Sequence, residues 1–348
     1  MKAGRLRNGK VELEELEPPT AGAGEVTVDL AACGVCGTDL EKLRGNYASA
    51  GKIGHEPVGR IRSVGDGVAG PAVGTRVFVH HHVPCYACEV CQRGDLTFCP
   101  NYAATNIEPG GFAESFRVPA VNVRSGAVLA LPHSVSWEAG ALLEPAGCAL
   151  TALRRCGFRP GDSLFVIGLG PVGLLYARVA RASGAGWIGG AELSEIRRAA
   201  SVRGGVDTVV DPREPGAMEA AVRSGTRGNG VDVSVVATGS PEAIGRGAML
   251  ARRGGTLNLF GLPEKGSHLP VDLQELYLRG VRVMPTYATT ERDLADVLSL
   301  LGSRRLLVDD LVSHRIPLER LGEAFEVAGR PQEALKVVVT GPAWAPGR

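Results

Sequence analysis

The second half of the chain alternates short apolar segments with segments of helical periodicity, and this alternation constrains the fold more than any other feature. Short apolar runs bounded by turn residues are typical of buried strands, whereas apolar residues at every third or fourth position are typical of helices. Strands that alternate with helices form βαβ units on a parallel sheet. We predict strands at Ser163–Gly168, Trp187–Ala191, Thr208–Asp211, Val231–Ala237 and Thr256–Phe260, and helices at Val172–Ser183, Ser194–Val202, Ala217–Ser224 and Pro241–Leu250.

A glycine-rich turn with the pattern G-x-G-x-x-G connects the first of these strands to its helix. The first glycine of this pattern permits a tight turn, the second lets the backbone approach a pyrophosphate, and the third lets the helix pack on the sheet. The helix then presents unpaired backbone N–H groups to the phosphates. The sequence therefore predicts a dinucleotide site here, with candidate residues Gly168, Gly170, Pro171, Val172 and Gly173.

An acidic residue follows the second predicted strand, at the distance where dinucleotide folds place the acceptor for the ribose hydroxyls. This residue is Glu192, and its carboxylate would repel the additional phosphate of NADP, so the sequence favours NAD(H). Arg197 and Arg198 could hold such a phosphate if they turned inward; the alternative is that both are solvated helix charges. Thr238, directly after the strand Val231–Ala237, is a further candidate cofactor contact.

The remainder of the chain has a different pattern, in which glycine and proline interrupt short strands. This pattern is typical of a compact, irregular β domain. Beyond Met284, helical periodicity returns twice before a last apolar strand. Here we predict strands at Glu25–Ala31, Val58–Val64, Thr75–Val79 and Ala334–Thr340, and helices at Arg292–Leu301 and around Leu318–Ala328.

Four of the eight cysteines lie close together in the sequence, at Cys85, Cys88, Cys91 and Cys99. Four thiolates can close a tetrahedron around zinc and leave no position open for chemistry, so such a site is structural. The segment that carries them is too polar to fold by burying apolar side chains, and metal binding would supply the missing free energy. The alternative is a set of reduced cysteines in an exposed lobe.

A second set of candidate ligands is dispersed along the chain. It comprises Cys36 with Thr38, the adjacent pair His55 and Glu56, and Glu144. Thiolate, imidazole and carboxylate groups suit a catalytic zinc that keeps a position open for water or substrate. Sequence separation alone does not show that these residues converge.

In order and spacing, these motifs and the segment Gly110–Glu114 resemble the zinc-dependent medium-chain dehydrogenases of the alcohol dehydrogenase superfamily, over essentially the whole chain. The resemblance is to the polyol (sorbitol/iditol) and threonine dehydrogenase branch, because Glu144-Pro145 stands where simple alcohol dehydrogenases carry a cysteine ligand. It implies an α/β fold in which a GroES-like, β-rich catalytic domain carries an inserted Rossmann NAD-binding domain with a doubly wound parallel sheet. The implied domains are 1–146 with a structural-zinc lobe at 80–102, 147–284 for NAD, and 285–348 as a C-terminal return to the catalytic domain.

The resemblance also implies two zinc ions per chain. The four clustered cysteines would hold the structural zinc, and Cys36, His55 and either Glu144 or Glu56 would hold the catalytic zinc. Thr38 would hydrogen-bond the substrate oxygen and pass its proton outward. Asp39 would orient the imidazole of the ligand histidine.

Two positions depart from the pattern of the family. Related enzymes usually carry a histidine five residues after the ligand cysteine, as a later stop for the proton, and this chain has Glu41. Glu41 is either a carboxylate relay or a surface acid beside Lys42. The arginine that binds substrate in sugar-polyol dehydrogenases has no counterpart in register, although Arg282 lies nearby. A plain sorbitol dehydrogenase is therefore a poor fit.

Composition and charge restrict the partners. The formal net charge of +1 comes from acids and bases mixed along the chain, which excludes a nucleic acid or an anionic membrane as a partner. Met1–Asn8 lacks an apolar signal core, and glycine, proline and arginine interrupt the apolar run Leu164–Ala182. We expect a cytoplasmic homodimer or homotetramer that binds a small polar alcohol or ketone.

Three adjacent histidines, His80, His81 and His82, precede the cysteine cluster. On an extended segment their side chains alternate between two faces, so all three cannot bind one metal. We expect loop and surface roles for them, with one imidazole at most lining a pocket.

These observations predict hydride transfer between NAD and the secondary hydroxyl of a polyol, a cyclitol or a related polar compound, giving a ketone. The alternatives within the family are a threonine dehydrogenase and a 2,3-butanediol-type dehydrogenase. A metal-free quinone or enone reductase on the same fold would have no use for Cys36, His55 and Glu144 together. A catalytically silent NAD-binding protein is the non-enzymatic alternative.

Overall fold

The computed structural model describes residues 1–46 and 51–345, and its backbone forms two compact units. The first unit comprises residues 1–147, 289–330 and 334–348, of which the last three lie outside the described part. The second unit comprises residues 148–288 and 331–333. The two units have different sheets and different cores.

The first unit is rich in β-structure. Its strands are β1 (Lys2–Arg7), β2 (Lys10–Glu15), β3 (Val26–Gly34), β4 (Pro57–Val64), β5 (Arg76–Val79), β6 (Ser115–Val118), β7 (Val128–Ala130), β14 (Val312–Pro317) and β15 (Lys336–Thr340). Its helices are α1 (Gly37–Leu43), α2 (Glu89–Gln92), α3 (Pro100–Ala104), α4 (Ala120–Arg124), α5 (Trp137–Ala141), α12 (Glu291–Gly302) and α13 (Leu321–Ala328), with short 3-10 helices at Leu96–Phe98, Asp309–Leu311 and Leu318–Arg320. Helix α6 (Leu143–Arg155) begins in this unit.

A seven-stranded sheet with the order β14-β15-β3-β4-β5-β7 forms the frame of this unit, and β6 pairs with β3 as well. Strands β14 and β15 are parallel, and the other pairs are antiparallel. Most of β3 is buried, and its residues Val26, Val28, Leu30 and Cys33 belong to the core of this unit. Side chains of β3, β6 and α13, among them Leu30, Phe116 and Phe325, pack in one buried cluster.

The second unit alternates strands and helices as predicted. Its strands are β8 (Ser163–Ile167), β9 (Trp187–Ala191), β10 (Thr208–Val210), β11 (Val231–Val236), β12 (Ala251–Leu259) and β13 (Arg282–Pro285). Its helices are α7 (Pro171–Ala182), α8 (Glu195–Arg203), α9 (Ala217–Gly225), α10 (Pro241–Leu250) and α11 (Leu273–Arg279). The six strands are parallel, in the order β10-β9-β8-β11-β12-β13. Numbered within the unit this is 3-2-1-4-5-6, the strand order of a Rossmann fold.

Most of the predicted elements, including the helix around Leu318–Ala328, are confirmed to within two or three residues, and one strand begins earlier than predicted. Strand β12 begins at Ala251 rather than Thr256. The helix around Leu318–Ala328 consists of a 3-10 turn followed by α13. Among residues 1–46 and 51–345, none of the helices combines the length and apolarity needed to cross a membrane.

Candidate active site and metal centres

Strand register in the first unit brings distant segments together at one end of β3. In the antiparallel pair of β3 and β4, Cys33 lies opposite Pro57, so the residues that follow β3 lie beside those that precede β4. On the other side of β3, Val338 of β15 lies opposite Gly34. The end of β3, the approach to β4 and the start of β15 therefore meet at one place.

Three potential metal ligands converge at this place. The ligand atoms of Cys36, His55 and Glu56 all lie within 4.8 Å of one another. His55 and Glu56 are buried, with exposed fractions of 8% and 0%, and Cys36 is half-buried at the N-terminus of α1. A thiolate, an imidazole and a carboxylate so close together suit a zinc ion that keeps an open coordination position. The residues present therefore fit a catalytic zinc.

A buried carboxylate supports the two ligand-bearing segments. Asp39 is fully buried in the first turn of α1, and its Oδ1 lies 3.4 Å from His55 Nδ1. The same side chain accepts hydrogen bonds from the backbone N–H groups of Cys36 and Gly54, both at 3.3 Å. Burial alone would raise the pKa of Asp39, but the charge and hydrogen bond of His55 bring it below its ordinary value. This contact leaves Nε2 of His55 available to bind a ligand.

The close approach to Asp39 depends on a glycine. Gly54 has φ +82°, and a Cβ there would lie 2.6 Å from the backbone nitrogen of Phe112. The left-handed backbone and the contact both require glycine at this position. The glycine thus sets the path of the chain into His55.

A buried ion pair adjoins the three potential ligands. Lys336 Nζ lies 2.7 Å from Oε1 and 2.6 Å from Oε2 of Glu56, and both side chains are almost fully buried. A Cβ on Gly34 would lie 1.8 Å from Glu56 Oε2, so a glycine is needed to make room for the pair. Burial disfavours the charge on Lys336, but Glu56 and Cys36 more than offset this and raise its pKa. Lys336 was not among the predicted site residues, although a lysine within a predicted apolar strand was an available signal.

Three other predicted residues of the first unit do not belong to this set of converging ligands. Glu144 is the second residue of α6 and is buried, and it is not one of the residues whose ligand atoms lie within 4.8 Å of one another. Thr38 is half-buried, in the first turn of α1. Glu41 accepts hydrogen bonds from Arg44 at 2.6 Å and Asn46 at 2.8 Å. These bonds favour a surface acid over a proton relay, with Arg44 as its ion-pair partner.

The four clustered cysteines form a second compact set in the first unit. Their sulfur atoms all lie within 4.8 Å of one another, and individual pairs are 3.6, 3.8 and 3.9 Å apart. Zn–S bonds of about 2.3 Å in a tetrahedron require sulfur atoms about 3.8 Å apart. Backbone N–H groups of Ala87 and Cys88 lower the pKa of Cys85 to about 6, which favours its thiolate. The donor set fits a closed, structural zinc site.

The three adjacent histidines do not lie on the surface as expected. His80 is fully buried, with its ring near Tyr102, and His81 and His82 are half-buried. The His81 ring lies 5.2 Å from the ring of His55 and 3.9 Å from that of His82. Burial lowers the pKa of His80 to about 3 and that of His82 to about 4, so both are neutral near pH 7. The expectation of surface roles is wrong because β5 leads the run into the interior.

The glycine turn of the second unit lies between β8 and α7. Gly168 has φ +93°, and a Cβ on Gly173 would lie 2.0 Å from the carbonyl oxygen of Gly168. Helix α7 therefore packs on the turn at a distance that only glycine allows. Gly170 is the residue before the helix, and Pro171 and Val172 begin it. Backbone groups at this helix N-terminus are suited to bind a pyrophosphate.

The other candidate cofactor residues lie at the same edge of the parallel sheet. Glu192 directly follows β9, is 8% exposed and accepts a hydrogen bond from the backbone of Ser194 at 2.9 Å. Arg197 is half-buried, and its Nη1 would lie 3.2 Å from a Cβ on Gly170. Arg198 donates to the backbone carbonyl of Glu192 at 2.9 Å. Neither arginine is therefore a solvated helix charge. Thr238 follows β11, the neighbour of β8.

Both parts of the chain are similar to known proteins. Residues 22–129 match the family described as alcohol dehydrogenase GroES-like domain, and residues 171–303 match the zinc-binding dehydrogenase family. L-threonine 3-dehydrogenase of Pyrococcus furiosus is 35% identical over 91% of both chains, and sorbitol dehydrogenase of Bacillus subtilis is 32% identical over 97% of both. The crystal structure of 2R,3R-butanediol dehydrogenase from Bacillus subtilis superimposes with a TM-score of 0.85 at 28% identity, covering 97% of this chain and 99% of that one.

Three findings agree with one another. Two dehydrogenase families match the chain, the identity to known dehydrogenases extends over almost its whole length, and its architecture is GroES-like and Rossmann. Zinc and NAD(H) are the cofactors of such dehydrogenases. The protein is an oxidoreductase that acts on the CH–OH group of small polar alcohols, and it belongs to the zinc-dependent medium-chain dehydrogenase/reductase superfamily.

Proposed function

We propose that the enzyme oxidises one secondary hydroxyl of a small polyol, cyclitol or related polar alcohol to a ketone, with transfer of the hydride to NAD. The observation that carries the proposal is the convergence of Cys36, His55 and Glu56 within 4.8 Å. A metal-free reductase would have no use for these three groups together. We assign the alcohol and both metals to residues 1–146 and 285–348, and the dinucleotide to residues 147–284.

The proposed catalytic zinc is held by Cys36, His55 and Glu56, with Glu144 as the alternative carboxylate ligand. Glu56 is favoured because its oxygens lie within the compact donor set, whereas those of Glu144 do not. A bound zinc would act as a Lewis acid that lowers the pKa of the substrate hydroxyl. Thr38 would accept the hydrogen bond of that hydroxyl and pass its proton outward. Asp39 keeps the His55 ring in place, and Cys85, Cys88, Cys91 and Cys99 hold a second, structural zinc.

NAD rather than NADP is the proposed cofactor, because the buried carboxylate of Glu192 would lie beside the adenosine ribose. Replacing Glu192 with Gln removes the charge and keeps the shape of the side chain. We expect the ratio of kcat/KM with NADP to that with NAD to rise about tenfold, which corresponds to ~1.4 kcal/mol. Glu195→Gln, at a nearby exposed acid in the first turn of α8, is the matched control and should leave the ratio unchanged. An unchanged ratio in Glu192→Gln would refute the assignment.

A screen for NADH formation tests the substrate class. We expect turnover with members of a panel of polyols and cyclitols, loss of turnover after treatment with a chelator, and two zinc ions per chain by elemental analysis. Threonine or 2,3-butanediol as the best substrate would establish the alternative activity instead. Tight NADH binding without turnover of any alcohol would show a catalytically silent protein.

The cysteines and the composition support further parts of the proposal. A reducing compartment would keep the thiolates available for zinc, and we place the enzyme in the cytoplasm. We propose a homodimer or homotetramer, which light scattering of the purified protein can test. The bound small molecule is the polar alcohol or its ketone.

A further inference from the structure

The run His80–His82 lies beside the proposed catalytic centre, and none of its side chains has a role in the proposed hydride transfer. Its backbone is held on two sides: His80 donates from its N–H to Ala127 O at 2.8 Å, and Asn122 Nδ2 donates to His81 O at 2.9 Å. The ring of His82 is engaged through Nδ1 with the carbonyl oxygen of Thr105. The run is therefore a fixed part of the first unit.

The two outer histidines have partners for their rings and His81 does not. Nε2 of His80 lies 3.4 Å from the hydroxyl of Tyr102. Across residues 1–46 and 51–345, neither nitrogen of the His81 ring has a hydrogen-bond partner, and its Nδ1 is buried. Buried polar groups in folded proteins are normally hydrogen-bonded, and an exception calls for a ligand or another partner.

The position of His81 indicates what that partner is. Its ring centroid lies 5.2 Å from that of His55, one of the three clustered ligands. His81 is not among the residues whose ligand atoms converge, so it is placed beside the metal site rather than in it. A neutral imidazole has one donor nitrogen and one acceptor nitrogen, and a hydroxyl group can pair with either of them.

We propose that His81 hydrogen-bonds a second hydroxyl of the substrate, on the carbon adjacent to the one that is oxidised, and so selects vicinal diols and polyols over simple secondary alcohols. This inference rests on the proposed function and specifies its substrate class. The binding free energy of a diol would then include a bond that a mono-alcohol cannot form. A site built to bond a hydroxyl discriminates against analogues that lack it, because its polar group is left unpaired.

The test compares two substrates that differ by one hydroxyl, 2,3-butanediol and 2-butanol, in the wild type, His81→Phe and His81→Gln. We expect the wild type to prefer the diol, and His81→Phe to lower kcat/KM for the diol about tenfold while 2-butanol changes less than about threefold. His81→Gln, which retains a donor and an acceptor, should recover part of the preference. His82→Phe is the matched control, because its ring is already engaged within the protein and its replacement should leave the preference unchanged.

Two further measurements separate the possible failures. The zinc content of His81→Phe should stay at two per chain, and the diol should raise the unfolding temperature of the wild-type enzyme with NADH more than that of the variant. Loss of a zinc ion would identify His81 as a ligand and overturn the inference. An unchanged diol preference in an active variant would overturn it while the proposed function stands. Absence of turnover with every secondary alcohol in the wild type would refute both.

Discussion

The two cysteine-containing centres of the first unit are assembled in opposite ways. Cys85, Cys88, Cys91 and Cys99 lie in one short segment, and short local helices bring their sulfur atoms together. Cys36 and the pair His55–Glu56 instead meet through the pairing of β3 with β4, and Lys336 joins them through the pairing of β3 with β15. The first centre is thus a product of local sequence, whereas the second exists only in the folded sheet.

The surroundings of the two centres differ in the same way. The sulfur atoms of the clustered cysteines receive hydrogen bonds from nearby backbone N–H groups, such as Cys88 N to Cys85 Sγ at 3.3 Å. The dispersed centre is supported by charged side chains, with Asp39 beside His55 and Lys336 on Glu56. Backbone donors stabilise the thiolate ligands without titrating themselves, whereas ionisable neighbours adjust the charge and position of the ligands. This difference suits one centre to structure and the other to catalysis.

Replacing a ligand of the dispersed centre should have the largest effect on turnover. In Cys36→Ser we expect kcat/KM to fall at least about 10³-fold, since the Lewis acid contributes several kcal/mol to the transition state. The zinc content should fall from two to one per chain, because the clustered cysteines are unaffected. Steady-state kinetics and elemental analysis measure both effects. Wild-type turnover in this variant would remove the basis for a catalytic zinc at Cys36.

Removing the cation of the buried ion pair should show whether a zinc ion and Lys336 both balance the charge of Glu56. In Lys336→Met the carboxylate is left buried and unpaired, which costs about 3–5 kcal/mol in protein without metal. We expect a smaller loss in zinc-loaded protein, because the metal then balances the charge of Glu56. Chemical denaturation with and without chelator measures the difference. Arg315→Met, which breaks an exposed pair with Glu138, is the control and should cost about 1 kcal/mol or less in either state.

An equal loss in both states would contradict this expectation. It would mean that zinc does not interact with Glu56, and Glu144 would then become the better candidate for the carboxylate ligand. The same experiment therefore decides between the two carboxylates that the sequence left open.

Much of the difference between the two centres could be predicted from the sequence. The contacts that could not be predicted depend on which residues of distant strands lie opposite each other. The glycine turn at Gly168–Gly173 and the four-cysteine cluster are local patterns, and both were found. The pairing of Lys336 with Glu56 depends on two neighbours of β3 that are far apart in the sequence. The spacing of residues carries no information on such a register.

Other elements that the sequence patterns did not predict correctly can be explained by their own residues. Helix α11 (Leu273–Arg279) was not predicted because it is only seven residues long, although Leu273, Leu276 and Tyr277 have helical spacing and Leu276 packs against the core. The hairpin of β1 and β2 turns at Asn8-Gly9, where both residues have positive φ, and this dipeptide was an available signal for a tight turn. The early start of β12 adds the segment Ala251–Gly255, whose arginines and glycines do not resemble a buried strand.

A change behind the ligands of the dispersed centre should have an intermediate effect. Asp39→Asn removes the charge that faces His55 Nδ1 and keeps the size of the side chain. We expect the affinity for the catalytic zinc to fall about 10–100-fold, the usual cost of altering a group that orients a ligand histidine. Competition with a chelator measures the affinity. Asp29→Asn, at an exposed carboxylate of β3, is the control, and equal affinities in the two variants would show that Asp39 does not act through the ligand.

Breaking the clustered centre should have the smallest effect on turnover, although it removes a metal. In Cys91→Ser we expect loss of one zinc and a lower unfolding temperature, because the free energy of metal binding folds this segment. The dispersed centre is assembled by β3, β4 and β15 and contains none of the four clustered cysteines, so kcat/KM per folded molecule should stay within about threefold of the wild type. Kinetics normalised to folded protein, with elemental analysis of the same sample, test this. A loss of turnover as large as in Cys36→Ser would mean that the lobe shapes the catalytic centre directly, and the separation of the two centres into structure and chemistry would be wrong.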